Sequence, residues 1–222
     1  MSPRRSNAER TEATRAQLVA TARQLFGERG YSATTIAEIA RSAGLTTGAL
    51  YHHWPGKEAL LVDAVHDIHR ELAARIRSGE EVGAGAARGA GRAVGGRGAG
   101  RAVEGAPVPL LLRSGLEFLG FCADPAVARL LLLDAPAVLG YERWRRIDEQ
   151  WWLSSTIRLV ERARLERGGP GGAEAGADGS RQLALVLLGA LTSLGHEVAM
   201  TGPATVVSAG RTYEVLLKSL LC

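Results

Sequence analysis

Between Thr34 and Lys57 the chain reads TTIAEIARSAGLTTGALYHHWPGK, and its hydrogen-bonding side chains gather behind one glycine. Thr46, Thr47, Tyr51, His52 and His53 all come soon after Gly44, with Lys57 just beyond. Hydroxyls and imidazoles of this kind bond to phosphate oxygens and to base edges, and the free N–H groups at a helix start favour phosphate. Gly48 and Ala49 are small enough to let the backbone come close to a partner surface. Taken singly, the same side chains read equally well as a solvated face. The residues preceding them decide for nucleic acid.

Thr35 and Glu38 stand in T-x-x-E spacing, where hydroxyl and carboxylate each satisfy a free N–H at a helix start. A helix is therefore expected from about Ile36 to Ala43, burying Ile36, Ile39, Ala40 and Ala43 along one face. Gly44 supplies the left-handed position that ends it, and Thr46 can cap a second helix over about Thr47 to His53. That second helix has only Leu50 and Trp54 as an apolar stripe. A turn so tight makes the helices cross steeply and projects the second from the body.

Before this unit, beyond an arm reaching to about Ser6, a helix running to about Arg29 places Leu18, Ala22, Leu25 and Phe26 on one stripe and ends at Gly30. Tyr31 and Leu45 are expected to close this small core over Leu50 and Trp54. After it, Pro55-Gly56 launches a helix from Lys57 to about Arg77, with Leu61, Val65, Ile68 and Leu72 at helical spacing. This helix alone can touch both the head and the remaining body, so it is the expected mechanical link. On it, His66 and His69 near Asp63 and Asp67 suit either a metal or a polar pair on an exposed face.

The run LVATARQLFGERGYSATTIAEIARSAGLTTGALYHHWPGKEALL resembles the TetR family of bacterial one-component transcriptional regulators, over about Arg15 to Val65. The resemblance implies an all-α protein: a three-helix DNA-binding head at 8–72, with its helix-turn-helix near 35–54, joined by a linking helix to a ligand-binding and dimerising body. It implies DNA contacts at Thr35, Thr46, Thr47, Gly48, Tyr51, His53 and Lys57. Of these, Tyr51, His53 and Lys57 would meet phosphate, and Thr47 and Gly48 would lie near base edges. Ala37 departs from members that carry a long base-reading side chain there.

From 83 to 106 the chain is Gly, Ala and Arg with almost nothing to bury, which reads as a flexible insert. The body at 107–222 opens with an apolar helix carrying Leu116, Leu119 and Phe121, expected to be central. Asp124-Pro125 starts another helix, which Pro136 is expected to disrupt. A long helix from about Gly140 to Arg167 then holds three of the four tryptophans, Trp144, Trp151 and Trp152. Such rings fill a core or a subunit interface, or they wall a ligand chamber opposite Leu116, Leu119 and Phe121, with Asp148, Ser155 or His196 orienting the ligand. Past a Gly-rich break from Gly168 to Gly179, a final helical hairpin offers Leu187, Leu191, Leu194, Tyr213 and Leu217 as a dimer interface. His196 on it reads as a packed interface histidine or a ligand contact.

Composition bounds the rest. With 222 residues, 46% of them hydrophobic, the chain can bury a real core, and a formal charge of +4 suits a polyanionic partner without requiring one. Two cysteines, Cys122 and Cys222, give no disulfide framework, and the polar, charged start argues against a secretory signal, so a reducing, cytoplasmic setting is expected. The longest apolar run, Leu183 to Gly195, falls short of a membrane span. No catalytic motif is present; Asp148 with His196 is the one pair that an enzyme reading could use. The expectation is a homodimeric repressor without cofactor or metal, binding a pseudo-palindromic double-stranded operator and released by a small-molecule effector. A ligand-independent or activating regulator is the alternative.

Overall fold

A computed structural model of the chain describes residues 7–78, 106–167 and 177–222. The expected N-terminal arm, the insert from 83 to 105 and the Gly-rich break from 168 to 176 lie outside the described residues. Every element within them is helical. The head comprises α1 (Asn7–Arg29), α2 (Ile36–Ser42) and α3 (Thr47–His53), continued by the linking helix α4 (Lys57–Ser78).

Local chemistry sets each boundary in the head. α1 buries Leu18, Ala22, Leu25 and Phe26 and stops where Gly30 takes φ 88°. Thr35 and Glu38 form the reciprocal capping box at the start of α2, and Gly44, at φ 68°, turns the chain behind it. Leu50 and Trp54 are buried, and the Trp54 indole N–H donates to Asp63 Oδ2 at 2.8 Å, fastening α3 to α4.

The body is a bundle of α5 (Pro107–Cys122), α8 (Tyr141–Glu166), α9 (Ala177–Thr201) and α10 (Val206–Leu221). As its all-round apolar sequence predicts, α5 is central, packing on α4, α8, α9 and α10. Gly115 makes the tightest approach there. A Cβ at this position would lie 2.4 Å from Tyr213 Cε1, so only glycine admits the α10 ring.

Pro136 does not break its helix as expected; it widens it. α6 (Pro125–Ala128) passes into a π-helical stretch over Arg129–Asp134 and then into α7 (Ala135–Leu139). Proline has no N–H to offer the carbonyls behind it, and wide turns of this kind absorb such a defect. The Leu131 carbonyl accepts the Trp144 indole N–H at 2.9 Å, and His196 sits between the carbonyls of Thr192 (Nδ1, 2.8 Å) and Leu132 (Nε2, 3.3 Å). Two residues expected at a ligand site are thereby occupied in holding the backbone.

Contacts of α1 and of α4 bind head to body, and α4 also packs on α5 and α7. The Arg129 guanidinium donates to the Glu28 carbonyl at 3.0 Å, and Asp134 accepts the Tyr31 N–H at 2.8 Å, so the end of α1 is pinned to the π stretch. On the other side α4 lies against α8, with Arg143 paired to Glu58 and two indoles bonded to two imidazoles. α9 has the length and hydropathy of a membrane span, which its uninterrupted apolar run understated. It packs on α5, α8 and α10, with Ala184, Leu187 and Val198 fully buried.

Candidate nucleic-acid interface and body cavity

α3 leaves a polar surface outside the head. Thr46, Thr47, Gly48, Tyr51 and His52 are exposed, Tyr51 by 54%, while Leu50 faces in. The Thr46 hydroxyl accepts the Ala49 N–H at 3.2 Å, which fixes the start of the helix, and Thr47 projects beside it. His53 is half-buried, its ring 5.3 Å from His52 and 5.5 Å from Trp54.

Two of the expected DNA contacts are also engaged inside the head. The Thr35 hydroxyl donates to Glu38 Oε2 at 2.8 Å as part of the capping box. Lys57 Nζ donates to the carbonyls of Tyr31 and Thr34, at 2.8 and 2.9 Å, and lies 4.1 Å from the Tyr31 ring centre. It is thus a strut between α4 and the α1–α2 turn, with one N–H left to offer a phosphate.

The body contains a partly open cavity with about 50 Å³ accessible to the centre of a water molecule, within about 490 Å³ of non-atom space that includes open solvent. Of the residues expected to form a chamber, Trp152 and Asp148 line it. Leu116, Leu119, Phe121, Trp144, Trp151 and His196 do not. The reason on α5 is angular: Leu111, Ser114 and Phe118 share the face toward the cavity, whereas Leu116 packs at Gly210 of α10 and Phe121 lies under the Arg75 guanidinium. On α8 the wall is Asp148, Trp152 and Thr156, a spacing of four that was readable as one stripe. Thr156 takes the place expected of Ser155, whose hydroxyl donates to the Trp152 carbonyl. Leu72 and Ile76 of α4 complete the wall on the head side.

The dimer-interface residues expected on α9 and α10 are mostly spent within one chain. Leu187 and Leu217 are fully buried, and Leu191 and Tyr213 line the cavity; Leu194 is half-buried. These helices expose other apolar groups, Val186 and Met200 on α9 and Val207 and Val215 on α10.

His66 and His69 are neither an exposed pair nor a set of free ligands. Trp151 Nε1–H donates to His66 Nδ1 at 2.9 Å, and Trp152 Nε1–H donates to His69 Nδ1 at 3.0 Å. Each imidazole must be neutral at Nδ1 to accept. Burial depresses both, driving buried His69 to about 3. The Nδ1 lone pairs a metal would need are thus taken. Among the described residues no group of three or more potential ligands gathers.

A capped helix-turn-helix presented by a three-helix head, on an all-helical body with an internal cavity, defines the class of helical one-component regulators. Residues 18–64 match the pattern described as bacterial regulatory proteins, tetR family, and residues 109–220 match the tetracyclin repressor-like C-terminal domain. The chain belongs to the TetR family. The transcriptional regulator TtgR of Pseudomonas putida is 41% identical over 81 residues, covering 35% of this chain and 39% of the relative. The transcriptional repressor KstR2 of Rhodococcus jostii is 38% identical over 63 residues, 28% of this chain and 31% of the relative. The matched segment thus spans well under half the length of these curated relatives. A solved TetR-family regulator from Pectobacterium atrosepticum aligns over 98% of both chains, with 27% identity and TM-score 0.66.

Proposed function

We propose that the protein is a homodimeric transcriptional repressor that leaves its DNA operator when a small molecule occupies the body cavity. The observation that carries the reading is α3: a capped, exposed helix with Thr47, Gly48, Tyr51 and His52 on its outer face and almost no apolar surface there. Thr47 and Gly48 lie at base edges in the major groove; Tyr51, His52 and His53 meet phosphate, joined by the remaining Lys57 N–H. Two copies reading successive grooves roughly 34 to 36 Å apart require a pseudo-palindromic operator. The apolar stripe of Val186, Met200, Val207 and Val215 is the face on which the copies pair, in place of the buried leucines.

Release runs through the cavity wall. Trp152 lines the cavity and donates to His69 of α4, so a ligand displacing the ring acts directly on the helix that carries the head.

Electrophoretic shift with upstream DNA bearing an inverted repeat tests the reading. A specific complex is expected at moderate salt, weakened across all sequences by Tyr51→Phe and altered in base preference by Thr47→Ala. Absence of any specific complex would falsify it. Val215→Asp should yield a monomer by sedimentation; an unchanged dimer removes that face.

A further inference from the structure

The hydrogen-bonding character of the cavity wall names the chemistry of its occupant. Three aliphatic hydroxyls line the space, and each has already given its proton to its own helix. Ser114 donates to the Leu110 carbonyl at 2.8 Å, Thr156 to Trp152 at 2.9 Å and Thr192 to Leu188 at 3.0 Å. The Trp152 N–H is likewise committed, to His69. What these four groups turn toward the cavity is oxygen lone pairs and the face of an indole. Tyr213 adds a further ring, with a hydroxyl that can act either way.

Into this setting Asp148 brings a carboxyl with no hydrogen-bond donor to it among the described residues. Its neighbour Arg145 is turned to Glu149, Nε to Oε1 at 3.0 Å. Burial holds the Asp148 carboxyl up at about 6, the mark of a charge short of compensation. At neutral pH it is still mostly ionised. A carboxylate ringed by aromatic faces and by acceptors whose donors are spent is complementary to positive charge on an apolar body.

We infer that the cavity binds an apolar organic cation, a protonated or quaternary amine carried on a hydrocarbon or aromatic frame, with Asp148 as counter-ion and Trp152, Phe118 and Tyr213 as walls. This rests on the reading of the cavity as the effector site and specifies what enters it. An anionic ligand would meet the Asp148 carboxylate and, apart from the Tyr213 hydroxyl, only acceptors. A neutral hydrocarbon would take water from the half-buried carboxylate and give it no partner in return.

The test uses three probes of nearly one shape on the full-length protein: benzyltrimethylammonium, its neutral isostere neopentylbenzene, and phenylmethanesulfonate. Calorimetry and tryptophan quenching should show the cation binding about tenfold or more tighter than either other probe. Asp148→Asn should abolish that advantage while leaving the neutral probe unchanged, and Asp148→Glu should keep part of it. Equal binding of cation and neutral isostere by the wild type overturns the inference whatever the variants do, and so does cation binding that survives Asp148→Asn. Operator release is measured separately. A cation that binds through Asp148 but leaves the DNA complex intact sinks the effector reading alone, whereas release by the sulfonate but not the cation sinks the inference alone.

Discussion

Acidification should load the joint between α4 and α8 in a way that two substitutions can dissect. His69, buried under Trp152, is held at about 3 against an ordinary 6.5. As pH falls through 6.5 the unfolded chain takes up a proton that the folded chain refuses, so stability present above that point is lost progressively toward 3. From about pH 7 to about pH 5 this one ring costs about 2 kcal/mol. Asp148 acts with the opposite sign. Its carboxyl is raised by burial from 3.8 to about 6, so here the folded chain takes the proton first, and acidification through 6 stabilises it. Over the same interval that returns about 1 kcal/mol, leaving the wild type a net loss of about 1 kcal/mol from the pair. His69→Gln keeps an acceptor for the Trp152 N–H but cannot titrate, so the protein should gain about 2 kcal/mol at acid pH relative to wild type. Asp148→Asn should lose the compensating gain and fall more steeply. Urea denaturation at both pH values, read by circular dichroism, gives the differences, in which His66 and the other titrating groups cancel to first order. Three parallel pH profiles would refute the assignment of these two groups.

Gly115→Ala should lower stability by about 1 to 3 kcal/mol, because the new methyl sits against the Tyr213 ring and α10 must shift; a thermal melt reads it, and an unchanged Tm contradicts the close approach. Trp144→Phe strips the buried Leu131 carbonyl of its donor and removes part of a buried ring, so Tm should fall by the equivalent of about 1 to 3 kcal/mol or more, and an unchanged Tm contradicts the bond. Lys57→Met should destabilise the head by about 2 kcal/mol in the absence of DNA, since two charge-assisted bonds go. A lysine acting on phosphate alone would leave Tm unmoved and change only the salt dependence of binding.

The head was legible in the sequence because its determinants are local. The T-x-x-E box, the glycine at φ 68° and the Thr46 cap each act within four residues, so spacing alone located α2 and α3. The body was legible as helices but not as faces. α5 is apolar on nearly every side, so its sequence cannot say whether Leu116 or Phe118 turns toward the cavity; the packing of α10 at Gly115 and Gly210 decides it. The leucines of α9 and α10 looked like an interface because nothing in the sequence shows that α5 already covers them. Likewise the roles of Trp144 and His196 depend on carbonyls of the π stretch, and His196 lies 64 residues from Leu132.

The α1 and α4 joints differ in a way that bears on regulation. The end of α1 is held to the π stretch by Arg129 and Asp134, neither of which lines the cavity, so occupancy there has no direct hold on it. The α4 joint is different: Trp152 is at once a wall of the cavity and the donor to His69, and Leu72 and Ile76 of the same helix complete that wall. A ligand in the cavity therefore bears directly on α4, which also packs on α5, and not on the α1 attachment. At 1.5 Å per residue, His69 lies roughly 18 Å along α4 from Lys57, the residue that grips the α1–α2 turn. A helix pushed at that distance while its neighbour stays pinned rotates the head rather than translating it. Under the proposed dimeric reading, such a rotation would turn two recognition helices away from grooves of fixed spacing.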